Sequence, residues 1–206
     1  MKTPMQYQIT EFDCGPTTVL NALRFLFERE EISPEAVKHI MMYSLDSYNE
    51  KGELGKYGTS KMAMMFISSW LNHFSQITAF PLISEFLAEK DVVVSPHSHI
   101  VSALRQGGVV VLRLISEVGH YVLLTGVSGN KIEFFDPYYE DEDIGREGVE
   151  MLDASGMGPN RSVTFEALNA EDSDLYIMGD VKKREAVIIY DTRTYKNSAK
   201  TPEYFI

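Results

Sequence analysis

The 206-residue chain has one cysteine, Cys14, and it stands where a nucleophile would be placed. Asp13-Cys14-Gly15-Pro16 leads into an apolar-periodic segment, so the thiol falls at or just before a helix N-terminus. A helix start supplies partial positive charge and unpaired N–H groups, which favour a thiolate and can also hold an oxyanion. From position alone a small buried residue is the better reading. Two further residues tip the reading toward chemistry. His120 begins a strand in Gly119-His120-Tyr121-Val122, and Asp136 ends the next in Phe135-Asp136-Pro137. If Ser128-Gly129-Asn130 is a hairpin turn, Asp136 lies opposite the His120 end, within a residue or two of register. A carboxylate there fixes the imidazole tautomer and stabilises the imidazolium, the third role in a Cys-His-Asp triad. Gln8, six residues before Cys14, carries an amide that can fold back over the helix start and donate to a developing oxyanion.

The elements that must position these groups follow from periodicity. From Pro16 to about Glu30, Val19, Leu20, Leu23, Leu26 and Phe27 recur at helical spacing, and Pro16 suits a first turn. A second helix is announced by Ser33 as cap and Pro34 as first residue. Asn49 to Gly58 reads as a loop, after which Thr59 or Ser60 caps a third helix through Phe74. From Gly107 the pattern changes to strands: Val109 to Ile115, Tyr121 to Val127 and Lys131 to Phe135. Further strands are expected at Ser162 to Phe165, Leu175 to Gly179 and Ala186 to Tyr190, with a surface loop over Glu140 to Pro159 and a peripheral tail after Asp191. Helices first and an antiparallel sheet after them make an α+β layout, expected as a single domain over residues 1–206.

Composition narrows the classes of function. With 44% hydrophobic and 24% charged residues the chain can build a core, which argues against disorder. A net charge of −11 disfavours nucleic acid or an anionic membrane as the main partner and mildly favours a basic or neutral peptide. One cysteine allows no intramolecular disulfide and no cysteine cluster for a metal. No cofactor or metal is expected. The N-terminal residues lack a signal-peptide core and no apolar run is long enough to span a bilayer, so no membrane insertion and a cytoplasmic location are expected.

Gln8-Ile9-Thr10-Glu11-Phe12-Asp13-Cys14-Gly15-Pro16-Thr17 resembles the nucleophile motif of the bacteriocin-processing, double-glycine-leader peptidases, family thirty-nine of the cysteine peptidases. Gly119-His120-Tyr121-Val122-Leu123-Leu124 and Phe135-Asp136-Pro137 resemble that family's histidine and aspartate motifs in the same order. The resemblance spans about Gln8 to Arg24 and Gly107 to Tyr139. It implies a papain-like fold, a Cys14-His120-Asp136 triad, and an oxyanion hole built from Gln8 and the backbone N–H of Cys14. Substrate specificity does not carry over, because the long segment between the first helix and Gly107 does not match. Three readings stand: a thiol hydrolase cleaving a peptide or protein, an acyltransferase or glutamine deamidase or transglutaminase-type enzyme using the same thiolate, and a non-catalytic peptide-binding domain.

Other motifs read as structure. Pro96-His97-Ser98-His99 lacks a companion ligand set and suits a loop or helix start. Glu140 to Asp143 lacks the ligand pattern of a calcium loop. Gly107-Gly108 is explained by a helix C-cap.

Overall fold

The structure is a computed structural model that describes residues 1–116, 118–140, 145–152, 156–171 and 175–195. Its helices are α1 (Cys14–Leu26), α2 (Pro34–Ser44), α3 (Lys61–Thr78), α4 (His99–Arg105) and α5 (Phe165–Asn169). Its strands are β1 (Leu82–Ala88), β2 (Val109–Ser116), β3 (Val118–Ser128), β4 (Lys131–Phe135), β5 (Val149–Met151), β6 (Arg161–Thr164) and β7 (Glu185–Asp191). The strands form one antiparallel sheet in the order β1-β7-β2-β3-β4-β6-β5. The fold is α+β.

Successive side chains of the central strands serve two separate cores. On one face Val109, Val111, Leu123 and Phe135 pack with Val19, Leu23, Ile40, Ile67 and other residues of α1 to α3. On the other, Val110, Leu112, Leu124, Phe134 and Ile188 pack with Ile100, Leu104 and Leu168 of α4 and α5. Coverage on both faces is why β2 reads as an apolar run, broken only by Arg113 before its polar end, rather than an alternating one.

Local signals account for most boundaries. Ser33 Oγ accepts from Glu35 N–H at 3.1 Å, and Ser60 Oγ from Ala63 N–H at 3.1 Å, so α2 and α3 begin at caps readable in the sequence. Gly107, at φ +88°, ends α4: its N–H reaches Leu104 O and that of Gly108 reaches Ala103 O, a Schellman pair. The β3–β4 hairpin turns at Gly129-Asn130, with Gly129 at φ +61°.

The structure differs from the sequence reading at several places. α1 stops at Leu26, not near Glu30, because Phe27 turns extended and Glu28 and Glu31 form a reciprocal capping box on a separate short turn. Leu175 to Gly179 is not a strand but a single bridge between Ile115 and Ile177, since Tyr176 at φ +55° and Gly179 at φ +62° leave the extended region. β1, read from sequence as neither helix nor strand, is an edge strand whose apolar pattern is broken by Ser84 and Glu85. The Asn72 side chain of α3 donates to Ser84 O and accepts from Ser84 N–H, both at 2.8 Å, supporting that strand from its helix. Within the expected loop over 140–159, residues 149–151 form β5. The acidic run beyond Glu140 and the tail beyond Tyr195 lie outside the described residues.

Candidate active site

Cys14 is the first residue of α1, and the loop before it is drawn tight by Asp13. The Asp13 carboxylate accepts from Ile9 N–H at 3.0 Å, Thr10 N–H at 2.6 Å, Thr10 Oγ1 at 2.5 Å and Thr17 Oγ1 at 3.3 Å. Burial would raise its pKa, but these hydrogen bonds, led by Thr10, hold it below the ordinary value. Asp13 thus stays charged and fixes the turn that carries Gln8. One helical turn past Cys14, Thr18 Oγ1 donates to Tyr121 O at 2.9 Å, fastening α1 to β3 beside His120. The backbone N–H of Gln8 donates to Pro137 O at 2.8 Å, fastening the same loop beside Asp136. These two ties bring together four residues drawn from three separate stretches of chain.

His120 and Asp136 meet as the hairpin register dictates. Leu123 pairs with Phe135, so Asp136 follows directly after a ladder position near the head of β3. His120 Nε2 lies 2.7 Å from Asp136 Oδ1. The carboxylate is 1% exposed and fully engaged: Tyr138 N–H also donates to Oδ1 at 2.8 Å, and Tyr176 O–H donates to Oδ2 at 2.5 Å. With Nε2 committed to Asp136, the other ring nitrogen is left to Cys14, which lies within hydrogen-bonding reach of the imidazole.

Burial pulls the His120 pKa down, but the hydrogen bond and charge of Asp136, and then those of Cys14, outweigh it and raise it to about 10. For Asp136, burial pushes up, yet His120, Tyr176 and Tyr138 together hold it below its ordinary value. The arrangement favours an imidazolium beside the buried Asp136 carboxylate, with Cys14 on the other side of the ring.

Cys14, His120 and Gln8 open onto a cleft of about 960 Å³, walled also by Tyr57 to Lys61, Arg113, Tyr176 and Glu185. Cys14 is 6% exposed, so only the cleft reaches it. Gln8 Nε2 donates to Thr10 O at 2.7 Å, while its Oε1 is buried without a partner. Thr59 Oγ1 is buried and unpartnered as well, and packs on Gly15 so closely that a Cβ there would lie 2.2 Å from it. Unsatisfied polar atoms are scarce in folded proteins, and two of them lie in the wall of this cleft. Among the described residues no three His, Cys, Asp or Glu side chains converge as metal ligands. His99 instead pairs with Glu85 at 2.7 Å at the start of α4. Nor is any described helix long and apolar enough to cross a membrane.

Sequence reasoning missed Thr59, Tyr176 and Asn160. Asn160 is buried and brackets the Asp136 backbone, accepting from its N–H at 2.7 Å and donating to its carbonyl at 2.9 Å. Tyr176 holds a left-handed backbone conformation that an aromatic residue rarely adopts, which costs about 1–3 kcal/mol and must be maintained by its surroundings. Its hydroxyl bond to Asp136 supplies a reason for the conformation. Tyr176→Phe is expected to lower stability by about 1.5–3 kcal/mol, the range for a hydrogen bond to a charged group, as measured by denaturant unfolding. It should also raise the His120 pKa, because a carboxylate relieved of the tyrosine donor attracts the imidazolium more strongly, read by NMR titration of the imidazole. An unchanged His120 titration would limit Tyr176 to packing.

No family model and no curated protein matches the sequence. Among solved structures the chain is similar to one described as the peptidase domain of Streptococcus ComA, a bi-functional ABC transporter involved in a quorum sensing pathway. The two share 12% identity over 91% of this chain and 97% of that one, with a TM-score of 0.45. A likeness at that score says nothing about the reaction, which has to be read from the residues themselves.

Proposed function

We propose that the protein is a cysteine hydrolase of papain-like fold that cleaves a peptide bond through an acyl-enzyme. Cys14 is the nucleophile, His120 the acid and base, and Asp136 the group that orients the imidazole. Gln8 and the backbone N–H of Cys14 form the oxyanion hole. One observation carries this reading: His120 is bound through Nε2 to a buried Asp136 while Cys14, at a helix start, reaches the same ring at the wall of a cleft. The resemblance of the Gln8, Cys14, His120 and Asp136 motifs to the double-glycine-leader peptidases supports a peptide bond as the target. A single thiol in a chain that needs it reduced suits the cytoplasm.

In the reaction so assigned, Cys14 Sγ⁻ attacks the scissile carbonyl and its oxygen takes the negative charge. As the tetrahedral species collapses, the C–N bond breaks and the imidazolium gives its proton to the leaving amine. A water molecule then attacks the thioester, losing its proton to the neutral imidazole. The C–S bond breaks, the acid product leaves, and the thiolate–imidazolium pair is restored. Asp136 keeps the ring aligned through both halves.

Gln8 has two amide hydrogens, and only one is spent on Thr10. Donation by the other to the oxyanion is needed more in the transition state than in the bound substrate. Gln8→Ala is therefore expected to lower turnover about a hundred- to a thousandfold with little change in substrate affinity. Full turnover in that variant would assign the hole to other groups.

The function itself is tested by incubating wild type and Cys14→Ala with an internally quenched peptide library and a thiol-reactive acyl probe. Wild type should label at Cys14 and release peptide fragments with new carboxyl termini, and the variant should do neither. Labelling followed by transfer to an added amine, or ammonia release from glutamine, would replace hydrolysis by acyl transfer or deamidation. No labelling and no product would leave a peptide-binding domain.

A further inference from the structure

The charge of the cleft is opposite in sense to that of the chain. A net charge of −11 suggests a basic or neutral partner. Yet the cleft is walled by Lys61, Arg113, Lys182 and Lys183, and by a Lys56 already paired with Glu53 at 2.9 Å, against three carboxylates, Glu11, Glu140 and Glu185. Such a local excess of positive charge focuses an attractive field for anions in a low-dielectric hollow.

Arg113 is the member placed for specific recognition. It projects from β2, directly across from Tyr121 on β3, and is half-buried. Its guanidinium lies close against Gly119, the residue before His120: a Cβ at Gly119 would come within 2.2 Å of Nη2, 2.7 Å of Cζ and 2.9 Å of Nε. Only glycine leaves this space, so the guanidinium packs against the strand one residue before His120. Among the described residues, no hydrogen bond or ion pair occupies its donors.

The adjacent carboxylate does not serve as its partner. Glu185 is 2% exposed and accepts from Tyr121 O–H, and Arg113 acts on it only as a neighbouring charge. Burial raises the Glu185 pKa more than Tyr121, Arg113 and Lys61 lower it. A guanidinium with open donors on a rigid platform matches a carboxylate through two parallel hydrogen bonds. Lys61, the first residue of α3, adds a second cation to the same wall.

We infer that the cleft selects an acidic peptide, with Arg113 on its Gly119 platform binding an aspartate or glutamate side chain close to the scissile bond. This rests on the reading of the cleft as the substrate site but not on turnover.

The test measures binding in the Cys14→Ala protein, so it does not depend on cleavage. Rhodamine-labelled octapeptide pools with glutamate fixed at each position in turn are compared by fluorescence anisotropy with pools carrying glutamine there. At one or two positions the glutamate pool should bind about tenfold or more tightly, the worth of one charge-assisted bidentate contact. Arg113→Gln in the same background should bring the two pools within about twofold, and Arg113→Lys should recover only part of the difference. Gly119→Ala, which evicts the guanidinium without removing it, should mimic Arg113→Gln and guards against a loss due to misfolding. Equal affinities for both pools, no binding by either, or a glutamate preference that survives both substitutions would overturn the proposal. Acid-selective binding with no cleavage by wild type would instead sink the hydrolase reading alone. Cleavage without acid preference would sink only this one.

Discussion

Replacing Cys14 by alanine, His120 by alanine, or both together is expected to lower kcat by nearly the same factor, on the order of a millionfold. The reason lies in the geometry. The imidazole is held by Asp136 and also raised in pKa by Cys14, so in the proposed reaction each group works through the other. Without the thiol, His120 has no nucleophile to activate. Without the imidazole, the thiol loses both its cationic partner and the acid that protonates the leaving amine. Free energies of groups acting as a unit do not add, so the double variant should be little worse than either single one. Kinetics on any peptide cleaved in the library screen provide the check. Effects that multiply in the double variant would mean that Cys14 and His120 act independently, and the assigned mechanism would fail.

Asp136→Asn is expected to lower kcat by about ten-thousandfold while the protein still folds. An amide keeps the shape of the carboxylate but not its charge, and Asp136 Oδ1 receives both His120 Nε2–H and Tyr138 N–H. An amide nitrogen turned toward His120 would favour the wrong tautomer. Turned toward Tyr176, it would face the tyrosine hydroxyl now donating to Oδ2. Either way one buried contact is lost. The stability effect carries a pH signature with a definite sign. His120 is raised in the folded state from 6.5 to about 10, so its contribution is complete below 6.5 and is lost as pH rises through about 10. Asp136 is lowered from 3.8, so its contribution is present above 3.8 and is lost as pH falls through its folded value. The margin of wild type over Asp136→Asn in denaturant unfolding should therefore be widest between pH 3.8 and 6.5 and shrink on both sides. A margin constant from pH 4 to 10 would mean that His120 carries no extra proton in the native state.

The parts of this site that sequence could show are those built from short-range chemistry. Cys14 at a helix start follows from Pro16 and the apolar spacing after it, and the approach of Asp136 to His120 follows from a tight hairpin at Gly129. Both depend on residues a few positions apart or on a register counted from one turn. What stayed hidden depends on contacts that no local pattern announces. Thr18 reaches Tyr121, Asn160 brackets Asp136, and Tyr176 returns to the same carboxylate from a segment whose composition suggests a strand. The edge strand β1 escaped notice because Ser84 and Glu85 interrupt its apolar pattern, and Asn72 completes from a helix what a neighbouring strand would otherwise supply. Net charge does not show the local balance of the cleft for a related reason: it sums over the whole surface, whereas the cleft is lined by a few side chains.

The central claim is that Cys14 and His120 form one reactive pair, and alkylation tests it without any substrate. Because Cys14 is the only thiol, iodoacetamide incorporation followed by intact mass reports on that sulfur alone. At pH 7 a thiol without a cationic partner is only a few per cent ionised, so His120→Ala is expected to slow alkylation by roughly tenfold or more. Equal rates in wild type and His120→Ala across pH 5 to 9 would show that the imidazole does not act on the sulfur and would contradict the account.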